Sequence, residues 1–230
     1  MKVLNLYSGI GGNRKLWEGV EVTAIELDPK IAAIYKDFFP QDDIIVADAH
    51  AYLLKHFEEY DFIWSSPPCP SHSSFRKSFS MSSGAKPIYP DMKLYEEILL
   101  LKHYFKGKWV VENVIGFYEP LIRPSIFQRH YFWHNFHISE RNFRSDTILL
   151  TGGSKANDDV DDETQIIRLQ ERHGFDLSKY GLSNIAKRTS LRNCVRPELG
   201  LHILNYAKKT EPVQNWIGEG IMSMNFKRKK

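Results

Sequence analysis

The sequence predicts an α/β fold: a mostly parallel, doubly wound sheet with helices on both faces and a small irregular lobe. Three observations predict it. Short apolar runs alternate with stretches of helical period over residues 1–138. The first run gives way to a glycine turn, Ser8-Gly9-Ile10-Gly11-Gly12. Polar or reactive residues recur where later runs end, and in open parallel sheets ligands bind beyond the carboxyl ends of the strands.

Taken in order, a strand over residues 3–7 enters the glycine turn, and the following segment to Trp17 has the composition of a helix. A second strand over 22–27 carries Glu26-Leu27 at its end and runs into Asp28-Pro29. Pro29 suits the first turn of a helix reaching Phe39, because the N–H it lacks would be unpaired there anyway. A third strand over 44–47 is closed by Asp48-Ala49, and a helix is expected over 52–57. The fourth strand, over 62–64, meets Ser65-Ser66-Pro67-Pro68-Cys69-Pro70, where prolines end any ladder.

Residues 71–90 are serine-rich, contain Arg76, Lys77 and Lys86, and lack an apolar period, so a long loop is expected. A helix over 91–105 places Leu94, Ile98, Leu101 and Phe105 on one face. A strand over 109–111 ends at Glu112-Asn113, and another is expected over 131–138. Trp64, Trp109 and Trp133, in or beside strands, are expected to pack in the core or the crevice. Between 139 and 189 the pattern breaks into turns and an acidic run, which predicts little regular structure. Residues 196–206 recover an apolar face through Leu199, Ile203 and Leu204. The organisation expected is a catalytic and cofactor-binding core over 1–138, a small target recognition lobe over 139–189, and a segment over 190–230 that returns to the core.

Composition narrows the class. A chain of 230 residues, 42% hydrophobic, can bury a core without staples. Its two cysteines, Cys69 and Cys194, are too few for a disulfide framework and fit a reducing compartment. The sequence begins in a strand, and no apolar run approaches a membrane span, so a cytoplasmic protein without a membrane partner is expected. A net charge of +3 permits a polyanion partner without demanding one. The basic run 227–230 is read as a solvated tail. The histidines and Cys194 lack the short paired spacing of metal ligands, so no metal is expected.

The chemistry begins at the glycine turn, whose backbone could approach a ligand closely. By itself such a turn also serves packing. Glu26 suits a pair of ribose hydroxyls, and Asp48 can accept from an exocyclic amine such as that of adenine. A lone cysteine is commonly structural. Cys69, however, follows two prolines at a strand end, and Glu112 ends the next core strand on the same rim. A nucleophile and an acid thus converge on a nucleotide-like site.

In order, Tyr7-Ser8-Gly9-Ile10-Gly11-Gly12, Glu26, Asp48, Pro67-Pro68-Cys69, Glu112-Asn113-Val114 and Asn193-Cys194-Val195-Arg196-Pro197 resemble the motifs of DNA cytosine-5 methyltransferases. The resemblance covers nearly the whole chain outside 139–189. It implies a Rossmann-like fold, S-adenosyl-L-methionine as cofactor and double-stranded DNA as partner. It also implies Cys69 as the nucleophile toward carbon 6 of a flipped cytosine, with Glu112 acting at ring nitrogen 3. The cofactor would be lined by Tyr7, Ser8, Gly9, Gly11, Gly12, Glu26, Leu27, Asp48, Ala49, Ser66, Pro68, Asn193 and Val195.

The family's arginine motif is represented by Gln128-Arg129-His130-Tyr131-Phe132-Trp133, similar to animal de novo DNA methyltransferases. Arg129 is favoured as the base-contacting cation, although a strict register from Tyr131 selects His130. The loop over 71–90 matches the family's mobile loop, where Arg76, Lys77 and Lys86 would meet phosphates. Four positions depart from the pattern: Pro70 for a glutamine, Ser65-Ser66 for glycines, Asn5 for an aspartate and Arg192 for a glycine. The short lobe implies a short or relaxed recognition sequence, or help from a separate specificity subunit. A transfer-RNA cytosine methyltransferase and a non-catalytic DNA-binding subunit are the competing expectations.

Overall fold

β1 (Lys2–Leu6) is the strand on which the rest is built, because both of its neighbours pair with it in parallel. In the computed structural model, which describes residues 1–72, 89–128, 130–141 and 161–209, the chain continues through β2 (Glu21–Glu26), α1 (Pro29–Phe38), β3 (Asp43–Val46), α2 (Ala49–His56) and β4 (Phe62–Ser65). It then forms α3 (Lys93–Tyr104), β5 (Lys108–Val114), β6 (Ser125–Phe127), β7 (His130–His134), α4 (Asp162–His173), α5 (Asn184–Arg192) and α6 (Pro197–Ala207). The strands make one sheet in the order β3-β2-β1-β4-β5-β7-β6. Five are parallel, while β7 runs antiparallel to both β5 and β6.

Two apolar layers explain why the central strands read as continuous hydrophobic runs. Val3, Phe62, Trp64, Val110 and Phe132 face one way, toward Trp17 and the Leu199, Ile203 and Leu204 face of α6. Leu4, Leu6, Ile63, Trp109 and Val111 face the other, toward Leu53 of α2 and Leu94, Ile98 and Leu101 of α3. Trp64, Trp109 and Trp133 are all buried, as expected. The helix starts follow their caps: Asp28 Oδ1 accepts from the Lys30 N–H at 2.8 Å, and Pro29 occupies the first turn of α1. Strand order reverses between β1 and β4, which makes the carboxyl ends of these two strands the switch point of the sheet.

Three expectations need correction. The segment from the glycine turn to Trp17 is a chain of tight turns, closed by bonds such as Gly11 N–H to Ser8 O at 2.9 Å and Trp17 N–H to Arg14 O at 2.9 Å, instead of a helix. Tertiary anchors override its helical composition: Asn13 Nδ2 donates to Asn5 Oδ1 at 2.8 Å, and Trp17 is buried against Phe62 and Trp64. The strand expected over 131–138 is shorter, and β6 pairs with it as an additional strand. The described part of 139–189 holds α4 and most of α5, more regular structure than its composition suggested. Ile166, Leu169 and Leu191 of these helices pack with Ile10, Ile34, Tyr35 and Phe39. Among the described residues no helix is long and apolar enough to cross a membrane, and no cluster of histidine, cysteine and carboxylate side chains could hold a metal ion.

Candidate active site

The switch point brings two chemistries together. β4 cannot extend past Ser65 because Pro67 and Pro68 have no N–H to offer β5. Past the end of the ladder a side chain holds the segment: Asn113 Nδ2 donates to the Pro67 carbonyl at 3.0 Å. Cys69 follows, half-buried, and its carbonyl accepts from the His72 N–H at 2.9 Å. Burial pushes the Cys69 thiol above its ordinary pKa, and the charge of Glu112 pushes it further in the same direction. Glu112 is itself buried on β5.

Across the antiparallel pair, His130 Nε2 lies 3.8 Å from Glu112 Oε1, and His130 Nδ1 is buried without a partner among the described residues. Of the two candidate base-contacting cations, His130 is therefore placed beside Glu112. Arg129, Arg76, Lys77 and Lys86 lie outside the described residues.

The glycine turn forms the other side. Tyr7 has φ +54°, an uncommon backbone for a non-glycine residue. Ser8 Oγ is buried and has no hydrogen-bond partner among the described residues. Gly9 has φ +53°, and a Cβ built there would meet none of the described residues within 4 Å, which leaves open space above the turn among them. Glu26 takes the Gly9 N–H on Oε2 and the Asp28 N–H on Oε1, both at 2.9 Å, which fixes its carboxylate against the turn. Asp48 caps α2 by accepting from the Ala51 N–H at 2.8 Å. Ala49 is buried, and Leu27 is exposed. Ser66 Oγ accepts from Trp64 Nε1 at 2.9 Å, and Pro68 is exposed beside it.

Gly12 brings in the distant C-terminal motif. A Cβ on Gly12 would lie 2.6 Å from Cys194 Cβ and 2.8 Å from the Val195 carbonyl, so only glycine lets the two segments touch. Asn193 ends α5 immediately before this contact.

The family model for C-5 cytosine-specific DNA methylases matches residues 1–120. The chain belongs to this family. As a C-5 cytosine methylase it is a methyltransferase, and its family implies S-adenosylmethionine as the methyl donor. The methyltransferase EhMeth of Entamoeba histolytica is 13% identical, with alignment covering 90% of this chain and 97% of that one at a TM-score of 0.55, so the two share a fold. DNMT2 of Spodoptera frugiperda is 25% identical over 50% of this chain and 36% of that one, with a TM-score of 0.35. A putative DNA modification methyltransferase from an Escherichia coli prophage is 22% identical over 52% of this chain and 33% of that one, also with a TM-score of 0.35. No curated protein matches the sequence.

One group beside this candidate site escaped the motif reading. Glu97 of α3 is fully buried and bonded to Tyr7 and Ser65. The signal was present, since a carboxylate at position 97 lies on the same helical stripe as Leu94 and Leu101.

Proposed function

We propose that the protein methylates carbon 5 of cytosine in DNA through a covalent adduct with Cys69. The observation that carries this reading is the bond from Asn113 to Pro67, which ties the strand end bearing the thiol to the strand end bearing Glu112.

Carbon 5 of cytosine is too electron-poor to attack a methyl sulfonium directly. The Cys69 thiol gives up its proton as sulfur adds to carbon 6, and Glu112 delivers a proton to ring nitrogen 3, so the ring becomes a neutral enamine. S-adenosylmethionine, when bound, supplies the methyl group that carbon 5 takes up. Water then takes the carbon 5 proton, sulfur leaves as thiolate and ring nitrogen 3 returns its proton to Glu112, which restores the aromatic ring. Because Glu112 is buried, the base must leave its stack to meet it, at a cost of roughly a few kcal/mol.

The turn fits the cofactor on this chain's own features. Among the described residues Ser8 Oγ is an unpaired buried hydroxyl and the space above Gly9 is open, which suits the polar methionine end. Each oxygen of Glu26 keeps a lone pair for the ribose hydroxyls beyond its backbone bonds. Asp48 has one carboxylate oxygen engaged by Ala51 and the other available to an adenine amine. In this reading Tyr7, Leu27, Ala49, Ser66 and Pro68 line the cofactor, Gly11 and Gly12 shape its methionine end, and Asn193 with Val195 closes the pocket from the segment that Gly12 touches. Residues 139–189 serve target recognition, with a short recognition sequence or a separate specificity subunit as the consequence of their small size.

The test is a trap. Duplex DNA carrying 5-fluorocytosine, incubated with the protein and S-adenosylmethionine, should give an adduct that survives denaturation, because fluorine blocks the final elimination. Cys69→Ala should give none, and a parallel transfer-RNA substrate should react poorly. Trapping by the alanine variant would overturn the nucleophile, and preferential trapping of transfer RNA would overturn the substrate.

A further inference from the structure

Behind the cofactor turn lies a carboxyl group that the methyl-transfer steps do not use. Glu97 is fully buried on the sheet-facing side of α3, where an isolated carboxylate would be costly. It is well partnered. The Tyr7 hydroxyl donates to Oε1 at 2.6 Å, the Ser65 hydroxyl donates to Oε2 at 2.6 Å, and His50 Nδ1 lies 3.1 Å from Oε1. Each partner comes from a different rim segment. Tyr7 leads from β1 into Ser8 and Gly9, Ser65 ends β4 just before the segment carrying Cys69, and His50 follows Asp48 and Ala49 at the start of α2.

We propose that Glu97 is a positioning residue of the cofactor pocket, a single buried carboxylate that locks the ends of β1 and β4 and the first turn of α2 into the arrangement that receives S-adenosylmethionine. This rests on the methyltransferase reading and assigns to Glu97 a task that reading leaves open. Three strand and helix ends that share no ladder bond beyond their last residues need some common anchor, and hydrogen bonds to a charged acceptor are the strong kind. The positive φ of Tyr7 shows that its backbone is held away from an easy conformation, and its hydroxyl is the tether on that residue.

The charges around the anchor give it a pH signature. His50 also lies 3.4 Å from Glu96 Oε2 on α3, Lys93 of the same helix opposes its protonation, and Asp48 and Asp91 add negative charge at Tyr7. The bond to Glu97 holds the imidazole above its ordinary pKa, against its burial. Tyr7 is held well above its ordinary value, first by burial and then by Glu97, so its hydroxyl remains a donor throughout. A raised folded pKa means that the pairing of His50 with Glu97 is complete below the ordinary histidine value and is lost as the pH rises through the raised one. Cofactor affinity should therefore fall on the alkaline side.

The experiment titrates S-adenosylhomocysteine into the full-length protein and into Glu97→Gln, Tyr7→Phe and His50→Gln by calorimetry, from mildly acidic to alkaline pH. Glu97→Gln should weaken binding about tenfold. Tyr7→Phe should weaken it by less, and His50→Gln should flatten the alkaline decline. In turnover, the KM for S-adenosylmethionine should rise more than kcat falls. A folded Glu97→Gln protein that melts earlier but binds as tightly as wild type would make the residue merely structural and overturn the inference. Should that variant fail to fold, wild-type binding by both Tyr7→Phe and His50→Gln would overturn it equally. A wild-type protein that binds no S-adenosylhomocysteine would overturn the cofactor reading itself, a result distinct from either.

Discussion

Asn113 Nδ2 donates to the carbonyl of Pro67 at 3.0 Å, one pairing step beyond the strand ladder that ends with Ser65 opposite Val111. The amide is oriented by its other end, since Asn113 Oδ1 accepts from the Val114 N–H at 3.0 Å. A side chain thus supplies a donor to the Pro67 carbonyl beyond the last backbone pair and ties the cysteine segment to the glutamate strand.

Asn113→Ala should leave the buried Pro67 carbonyl without its donor and cost about 1–3 kcal/mol of stability. Activity should suffer more than stability, with kcat falling roughly tenfold or more as the thiol and the carboxyl lose their register. Asn113→Asp should be worse, because it sets a carboxylate oxygen against a carbonyl oxygen. Thermal melts and single-turnover kinetics on the same preparations check both halves, and an unchanged kcat in the alanine variant would disprove the role.

The thiol of Cys69 is raised first by burial and second by the charge of Glu112. Removing that charge with Glu112→Gln should lower the thiol pKa part of the way and enlarge the thiolate fraction at neutral pH. Alkylation of Cys69 by iodoacetamide should accordingly speed up while methyl transfer is lost. Slower or unchanged alkylation in this variant would show that the two groups do not feel each other.

Acid should destabilise the fold through two buried histidines. His134 is held neutral at a pKa of about 4 by burial. Its Nδ1 must donate to the Phe136 carbonyl at 2.7 Å, which leaves Nε2 to accept from Ser125 Oγ at 2.9 Å. His173 is also lowered to about 4, by burial and then by the nearby charges of Arg172 and Arg196. The unfolded chain takes these protons near the ordinary value of 6.5, and the folded chain refuses them until about 4. Stability is therefore full above the ordinary value and should decline through that window as the pH falls, by about 2–3 kcal/mol per histidine. Melting curves across this range test it, and His134→Gln should show a shallower decline.

Strand identity and core membership were legible in the sequence where burial imposes a period. Leu94, Ile98 and Leu101 fall on one side of α3, and the alternation of Phe62, Ile63 and Trp64 sorts side chains between the two layers. The turn to Trp17 was not legible, because what prevents a helix there is contact with Asn5 and β4, remote in sequence or set by the fold. α4 was under-read despite local signals. Asp161 accepts from the Thr164 N–H at 2.7 Å as a helix cap, and Ile166, Leu169 and His173 recur on one face, but the acidic residues around the cap resembled a loop. At the site, the order of motifs singled out Cys69 and Glu112 for the proposed chemistry. Glu97 stayed hidden because its partners come from three separate segments that only the folded sheet assembles.

Two glycines of the turn should separate packing from binding. At Gly12 an added methyl would meet Cys194 Cβ at 2.6 Å, the Val195 carbonyl at 2.8 Å and Cys194 Cα at 2.9 Å, and backbone atoms yield poorly. Gly12→Ala should therefore lose about 1–3 kcal/mol by overpacking, and cofactor binding should weaken with it as Asn193 to Val195 is pushed away. At Gly9 an added methyl meets none of the described residues within 4 Å, so the cost to the ligand-free protein is the left-handed backbone, about 1–2 kcal/mol. That methyl would project into the space assigned to S-adenosylmethionine, so Gly9→Ala should depress affinity for S-adenosylhomocysteine far more than its modest loss of stability accounts for. Melting temperature and Kd measured together distinguish the two, and a Gly9→Ala protein that bound as tightly as wild type would place the cofactor elsewhere.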